Sequence, residues 1–181
     1  MTKLYPKEKN NSTVDFAVGI GGAAGQGIAT PGNILARIFA RRGLRLNAYN
    51  AYQSLIRGGH TFLTIRASDG PVWSVGDTLD MLIPLNQDTS DRHLHVMPSG
   101  SSVIYDEAKI KPIDVPEGVQ LCPLPIKELT SGDKLAGNTV AVAVVLNMLG
   151  IVFSDLEDAL ERIFARKGDA VVASNLEIAQ R

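Results

Sequence analysis

Val14 to Ile20 is an apolar run interrupted only by Asp15 and Gly19 and followed by glycines, a pattern that predicts a short buried strand. The period then lengthens. Ile28, Ile34, Leu35, Ile38 and Phe39 recur at helical spacing. Pro31 falls near the first turn, where its missing N–H is tolerated, and Arg41, Arg42 and Gly43 supply the cations and the stop. Leu44 to Tyr49 predicts a second strand, so the chain opens as strand, glycine turn, helix, strand: a right-handed crossover in a parallel sheet.

Ala51 to Gly59 reads as a loop, and His60 to Ala67 as a strongly β-prone strand. Asp69-Gly70 signals a turn after which Val72 to Val75 is expected to fold back as a hairpin. Met81 to Leu85, Val103 to Tyr105 and Gly118 to Leu124 predict three further short strands. Ile126 to Leu129 predicts a short helix, and Gly137 to Leu149 one that is apolar on nearly every side and therefore buried. Ser154 to Glu157 reads as a capping box opening an amphipathic helix with Leu156, Ala159, Leu160, Ile163 and Phe164 on one face. A last helix follows from Asp169 to about Ala179. The order predicts an α/β fold, with helices grouped at the C-terminal end.

Composition bounds this picture without changing it. With 181 residues, 45% hydrophobic and 20% charged, the chain fits one folded domain over residues 14–181. Residues 1–13 are polar, lack the apolar core of a signal sequence and read as a flexible tail. No apolar run approaches the roughly 18 residues of a membrane span. The single Cys122 excludes an internal disulfide, and excludes an iron–sulfur cluster or thiolate zinc site held by this chain alone; it fits a reducing cytoplasm.

Charge does change the picture. Residues 16 to 68 contain Arg37, Arg41, Arg42, Arg45, Arg57 and Arg66 but no lysine and no acidic side chain, so +6 sits there and −7 on the rest of a chain whose net charge is −1. This stretch opens with Gly19-Ile20-Gly21-Gly22-Ala23-Ala24-Gly25-Gln26-Gly27. Glycines let backbone N–H groups approach an oxyanion, so the expected occupant is anionic, with the arginines gathered near it. The alternative is a turn that needs glycine only for its backbone geometry. A plain NAD site is disfavoured, because Arg45 to Asn50 holds no acid for the ribose hydroxyls; an NADP-type site using arginine stays open.

Arg57-Gly58-Gly59-His60 is the second candidate, since Arg57 can grip a phosphate or carboxylate with two parallel bonds. His93 and His95 suggest two metal ligands on a strand, but no third ligand is evident and no metal site is expected. Trp73 and the tyrosines read as packing residues, and Cys122 as a small buried hydrophobe. No nucleophile elbow, HExxH or P-loop lysine occurs, so no residue is assigned a bond-making role.

Four segments in order, Gly19 to Ile28, Asn47 to His60, Gly137 to Ala141 and Phe164 to Gly168, resemble the gamma subunit or gamma domain of the 2-oxoacid:ferredoxin oxidoreductases. The nearest variety is the gamma domain at the front of the 2-oxoglutarate-type alpha chain, within the pyruvate/ketoisovalerate oxidoreductase catalytic domain family. Gln53 departs from the proline that relatives usually have there. The resemblance implies a Rossmann-like lobe with a mostly parallel sheet, packed on thiamine-binding domains. It implies a complex that converts a 2-oxoacid and coenzyme A to acyl-CoA and CO2 while reducing ferredoxin. Thiamine diphosphate with its Mg2+, and the iron–sulfur clusters, would sit in partner domains. Coenzyme A is the one ligand expected here. Gly21, Gly22, Gly25, Gln26 and Gly27 would face its phosphates; Arg57, Gly58, Gly59 and His60 would border the cleft towards the thiamine domain. Asn138 and Thr139 would add a helix N-terminus. A hetero-oligomer is expected, or a homodimer for the isolated domain, with neither nucleic acid nor membrane as partner. The rival readings are a packing module of the same complex and a free-standing NADP oxidoreductase.

Overall fold

The computed structural model describes residues 14–52, 59–133 and 136–181. The tail expected over residues 1–13 lies outside them, as do Arg57 and Gly58. Among the described residues six strands, β1 (Asp15–Ala23), β2 (Arg45–Tyr52), β3 (His60–Ser68), β4 (Met81–Pro84), β5 (Ser102–Asp106) and β6 (Gln120–Leu124), form one sheet in the order β2-β3-β1-β4-β5-β6. β1, β4, β5 and β6 pair in parallel, while β3 runs antiparallel to both β1 and β2.

β1 and β2 therefore point the same way, as a crossover requires, but β3 lies between them. Burial explains the insertion. β3 is buried at every position except Arg66 and belongs inside the sheet; no position of β2 is fully buried, and it takes the edge. The same insertion cancels the hairpin expected at Val72 to Val75. β3 already has a neighbour on each side, so no edge is left to pair with, and residues 69–80 form a loop with Trp73 90% exposed rather than packed.

The helices are α1 (Ala29–Arg41), α2 (Gln87–His93), α3 (Ile126–Leu129), α4 (Gly137–Met148), α5 (Phe153–Phe164) and α6 (Asp169–Gln180). α1, α4, α5 and α6 cover one face of the sheet, over a core that includes Val18, Ile20, Phe39, Ile65, Ile83, Val142 and Leu160. Phe16 meets Phe39 edge to face, ring centres 5.1 Å apart. The other face carries a smaller core of Phe62, Leu82, Leu94, Met97, Val103, Tyr105 and Ile110, beside α2 and a 3-10 turn at Leu94–Val96.

Three local expectations give way. β1 continues through Ala23, so Gly19, Gly21 and Gly22 are strand residues and the turn proper begins at Ala24. α5 starts at Phe153 after an extended Val152, which puts Ser154 inside the first turn and leaves the capping box unformed. His93 ends α2 and His95 lies in the 3-10 turn, so the two do not share a strand. α2 itself had no hydrophobic period to betray it. Its start is fixed by Asn86, whose side-chain oxygen accepts the Thr89 N–H at 2.9 Å. No helix of the described residues is long and apolar enough to cross a membrane.

Candidate functional site

The connection out of β1 runs through α1 towards β2, whereas the one out of β4 runs through α2 towards β5. Where neighbouring parallel strands send their connections in opposite directions, a crevice opens at their carboxyl ends, and ligands of open α/β sheets bind there. Here that crevice lies between the turn at 24–27 and Leu85-Asn86.

Its walls are hydrogen-bonded to each other. The Gln26 N–H donates to the Ala23 carbonyl at 3.0 Å, and the Ala24 N–H donates to the carbonyl of Gly59 at 3.0 Å, tying the turn to the start of β3. The Leu85 N–H donates to the Gly21 carbonyl at 2.8 Å. The Gln26 side chain folds back: its oxygen accepts the Ala23 N–H at 2.6 Å and the Asn86 amide at 3.1 Å. Gly25 and Gly27 have φ of 93° and 78°, which only glycine adopts without strain, and both are exposed. The first turn of α1 carries no acidic side chain. The rim therefore presents backbone and the positive end of a 13-residue helix to solvent.

The residues expected here from sequence divide. Gly25, Gln26 and Gly27 form the exposed turn, and Asn138 joins it, its amide donating to the Gly27 carbonyl at 3.4 Å. Gly21 and Gly22 are buried in β1. A Cβ at Gly21 would stand 2.5 Å from Thr89 and 2.6 Å from Phe62, so this glycine admits its neighbours. Thr139 is 3% exposed, and its hydroxyl donates to Asn175 at 2.7 Å on α6. Gly59 is buried and holds the turn through its carbonyl. Asn86 was missed; its only sequence signal was an Asn-x-x-Thr spacing straight after a strand.

His60 lies on the other face of the sheet from α1. Its ring stacks on Phe62 and on His93, and Phe62 and His93 stack at 3.8 Å between centres. The two Nε2 atoms are 3.0 Å apart, so one donates and the other accepts. Burial first, and then His60, pushes His93 down to about 4; burial lowers His60 as well. Asp88, held low by its hydrogen bonds with Arg92, stands 3.5 Å from His60 Nδ1. The pair is thus neutral near pH 7 and anchors α2 to the sheet. Burial raises the Cys122 thiol, which keeps it protonated and unreactive.

The expected gathering of arginines is overturned. Arg42 pairs with Asp155 and Arg41 with Asp158, 3.4 Å away on α5, at the far end of α1 from the turn. Arg66 pairs with Asp15 at 2.7 Å, at the opposite end of β1, where Arg45 also begins β2. Arg37 is exposed along the helix. Acids distant in sequence come to the arginines in space. Arg57 lies outside the described residues. Two cavities, of about 110 Å³ beside Phe62, Thr64 and His93 and about 180 Å³ between Arg42 and Asp155, do not open at the turn either. The crevice is an open ledge.

Comparison with known proteins adds the following. A family model described as pyruvate ferredoxin/flavodoxin oxidoreductase matches residues 17–181. The ketoisovalerate oxidoreductase subunit VorA of Methanothermobacter marburgensis is 29% identical over 91% of this chain and 35% of its own length. The 2-oxoacid:ferredoxin oxidoreductase subunit alpha of a Sulfolobus species is 34% identical over 49% of this chain and 14% of its own. This chain thus spans about a third or less of the length of these relatives. The 2-oxoglutarate:ferredoxin oxidoreductase from Magnetococcus marinus, solved with 2-oxoglutarate, coenzyme A and succinyl-CoA bound, superposes with a TM-score of 0.83 at 27% identity over 92% of this chain and 30% of that one. The keto/oxoacid ferredoxin oxidoreductase gamma subunit from Geobacter sulfurreducens has the same fold, with a TM-score of 0.75 at 24% identity over 92% and 93% of the two chains.

Proposed function

The chain belongs to the pyruvate ferredoxin/flavodoxin oxidoreductase family, and from that premise we propose that it is the gamma domain of a thiamine-dependent 2-oxoacid:ferredoxin oxidoreductase. Its part is to hold the phosphate end of coenzyme A and to present a surface for assembly in a reducing cytoplasm. Thiamine diphosphate with its Mg2+ and the iron–sulfur clusters, which would supply carbon–carbon cleavage and electron transfer, belong to partner domains; one cysteine is too few to hold a cluster. No side chain of this domain makes or breaks a bond.

The observation that carries the reading is the exposed turn of Gly25 and Gly27 at the N-terminus of α1, in the crevice where the sheet's connections diverge. The coenzyme A bound in the Magnetococcus enzyme supports the identity of the anion. With Arg41, Arg42 and Arg66 paired elsewhere, the affinity rests on backbone N–H groups and helix dipole, supplemented by Arg57 from the segment after β2. An open ledge also explains why the chain acts only in a complex: a partner surface would close over the ligand.

Calorimetric titration of coenzyme A into the chain assembled with its thiamine-binding partners tests this. Thr30, exposed in the first turn of α1, becomes an anion in Thr30→Glu. We expect that variant, Arg57→Ala and added salt each to weaken binding, Thr30→Glu by about tenfold, the worth of roughly 1.4 kcal/mol. Absence of heat at millimolar ligand would leave the packing module, and a saturable response to NADPH the free-standing dehydrogenase.

A further inference from the structure

The two edges of the sheet differ. β6 is five residues long and contains Pro123, which has no N–H to donate and so blunts that edge. β2 is eight residues, RLNAYNAY, with Arg45 its only charge, and among the described residues nothing pairs with its outer side. It lacks the lysine, proline or bulge by which free edges are kept from pairing. Two large aromatic side chains flank it, Tyr49 61% exposed and Tyr52 71% exposed. Tyr49 is the cross-strand partner of Thr64 and so lies on the face of α2; Tyr52 partners Thr61 and lies on the face of α1.

We propose that β2 pairs antiparallel with β2 of a second copy of this chain, joining two six-stranded sheets across a two-fold axis. The symmetry restricts the register. A two-fold perpendicular to the sheet sets one residue opposite its own copy. With Tyr49 at that position, Tyr49 faces Tyr49, Asn47 faces Ala51, Ala48 faces Asn50 and Leu46 faces Tyr52. Aromatic meets aromatic on one face, and two Leu–Tyr pairs form on the other, the combinations that stabilise antiparallel ladders. Arg45 falls beyond the ladder, so no like charges oppose each other. Centring on Ala48 instead would set Leu46 against Asn50 and lose both apolar pairs. This self-complementarity selects a second copy over an unrelated strand, and it is independent of the function proposed above.

Sedimentation of the 181-residue chain tests it, with circular dichroism to confirm that each variant folds. A ladder this short gives a dissociation constant on the order of micromolar, so dimer should dominate at roughly 200 μM. Tyr49→Lys, on an exposed position, should weaken association at least about tenfold. In a Cys122→Ser background, Tyr49→Cys should form a disulfide-linked dimer under mild oxidation, because directly opposed residues fall within disulfide reach, and Ala48→Cys should not. A monomer at the highest concentration, a dimer indifferent to Tyr49→Lys, or cross-linking through position 48 rather than 49 would overturn the proposal.

Discussion

Gly21 shows what a single missing Cβ does in this molecule. Thr89 and Phe62 occupy the space a side chain would need. Gly21→Ala should therefore cost about 1–3 kcal/mol in urea unfolding, as overpacking does, without touching the exposed rim. An unchanged midpoint would mean that Phe62 and Thr89 move aside freely. The sequence advertised these glycines as one continuous turn; in the fold Gly25 and Gly27 turn the backbone, while Gly19 and Gly21 are residues of β1. Nothing in the residue string separates the two uses, because the neighbours that fill the space, Phe62, Leu79 and Thr89, lie about 40 to 70 residues downstream. Gln26 was legible as part of the turn, but its back-folded amide depends on Asn86, which only the fold brings near.

At the scale of elements, α2 is held by ring stacking and by Asn86. Removing the cap with Asn86→Ala should cost about 1 kcal/mol and also loosen the turn through Gln26. The imidazole pair sets a pH dependence. His93 titrates at about 4 when folded against 6.5 in a model peptide, so between those values the unfolded chain binds a proton that the folded chain refuses. Stability should hold above pH 6.5, fall as pH drops from 6.5 to about 4, by roughly 3 kcal/mol, and lose nothing further through this group below that. His93→Phe should flatten the loss over that window. The carboxylates of Asp15 and Asp88, depressed by Arg66 and Arg92, act in the same direction at lower pH, as their protons are taken up. Denaturant midpoints at closely spaced pH values would separate the two ranges. Elements with a strong period, α1, α4 and α5, could be read from sequence. α2 could not, since it is short and polar and rests on the Asn86 cap and a ring stack.

Over the whole molecule, the charge segregation seen along the chain disappears. Arg41 and Arg42 stitch α1 to α5, and Arg66 returns to Asp15. A double-mutant cycle on Arg42 and Asp155, both about a third exposed, should give a coupling of roughly 0.5–1 kcal/mol that shrinks with salt. No coupling would return the cluster to the role of a helix-end charge. The α/β class was readable from element order, but the strand order was not: propensity marks β3 as a strand without saying that it separates β1 from β2. That insertion has a mechanical result. Cutting the polypeptide between β2 and β3, at an introduced protease site, would give one piece carrying β1 and β2 and another whose first strand is clasped between them. The halves should co-purify after the cut and come apart only in denaturant, as a tongue held in a groove.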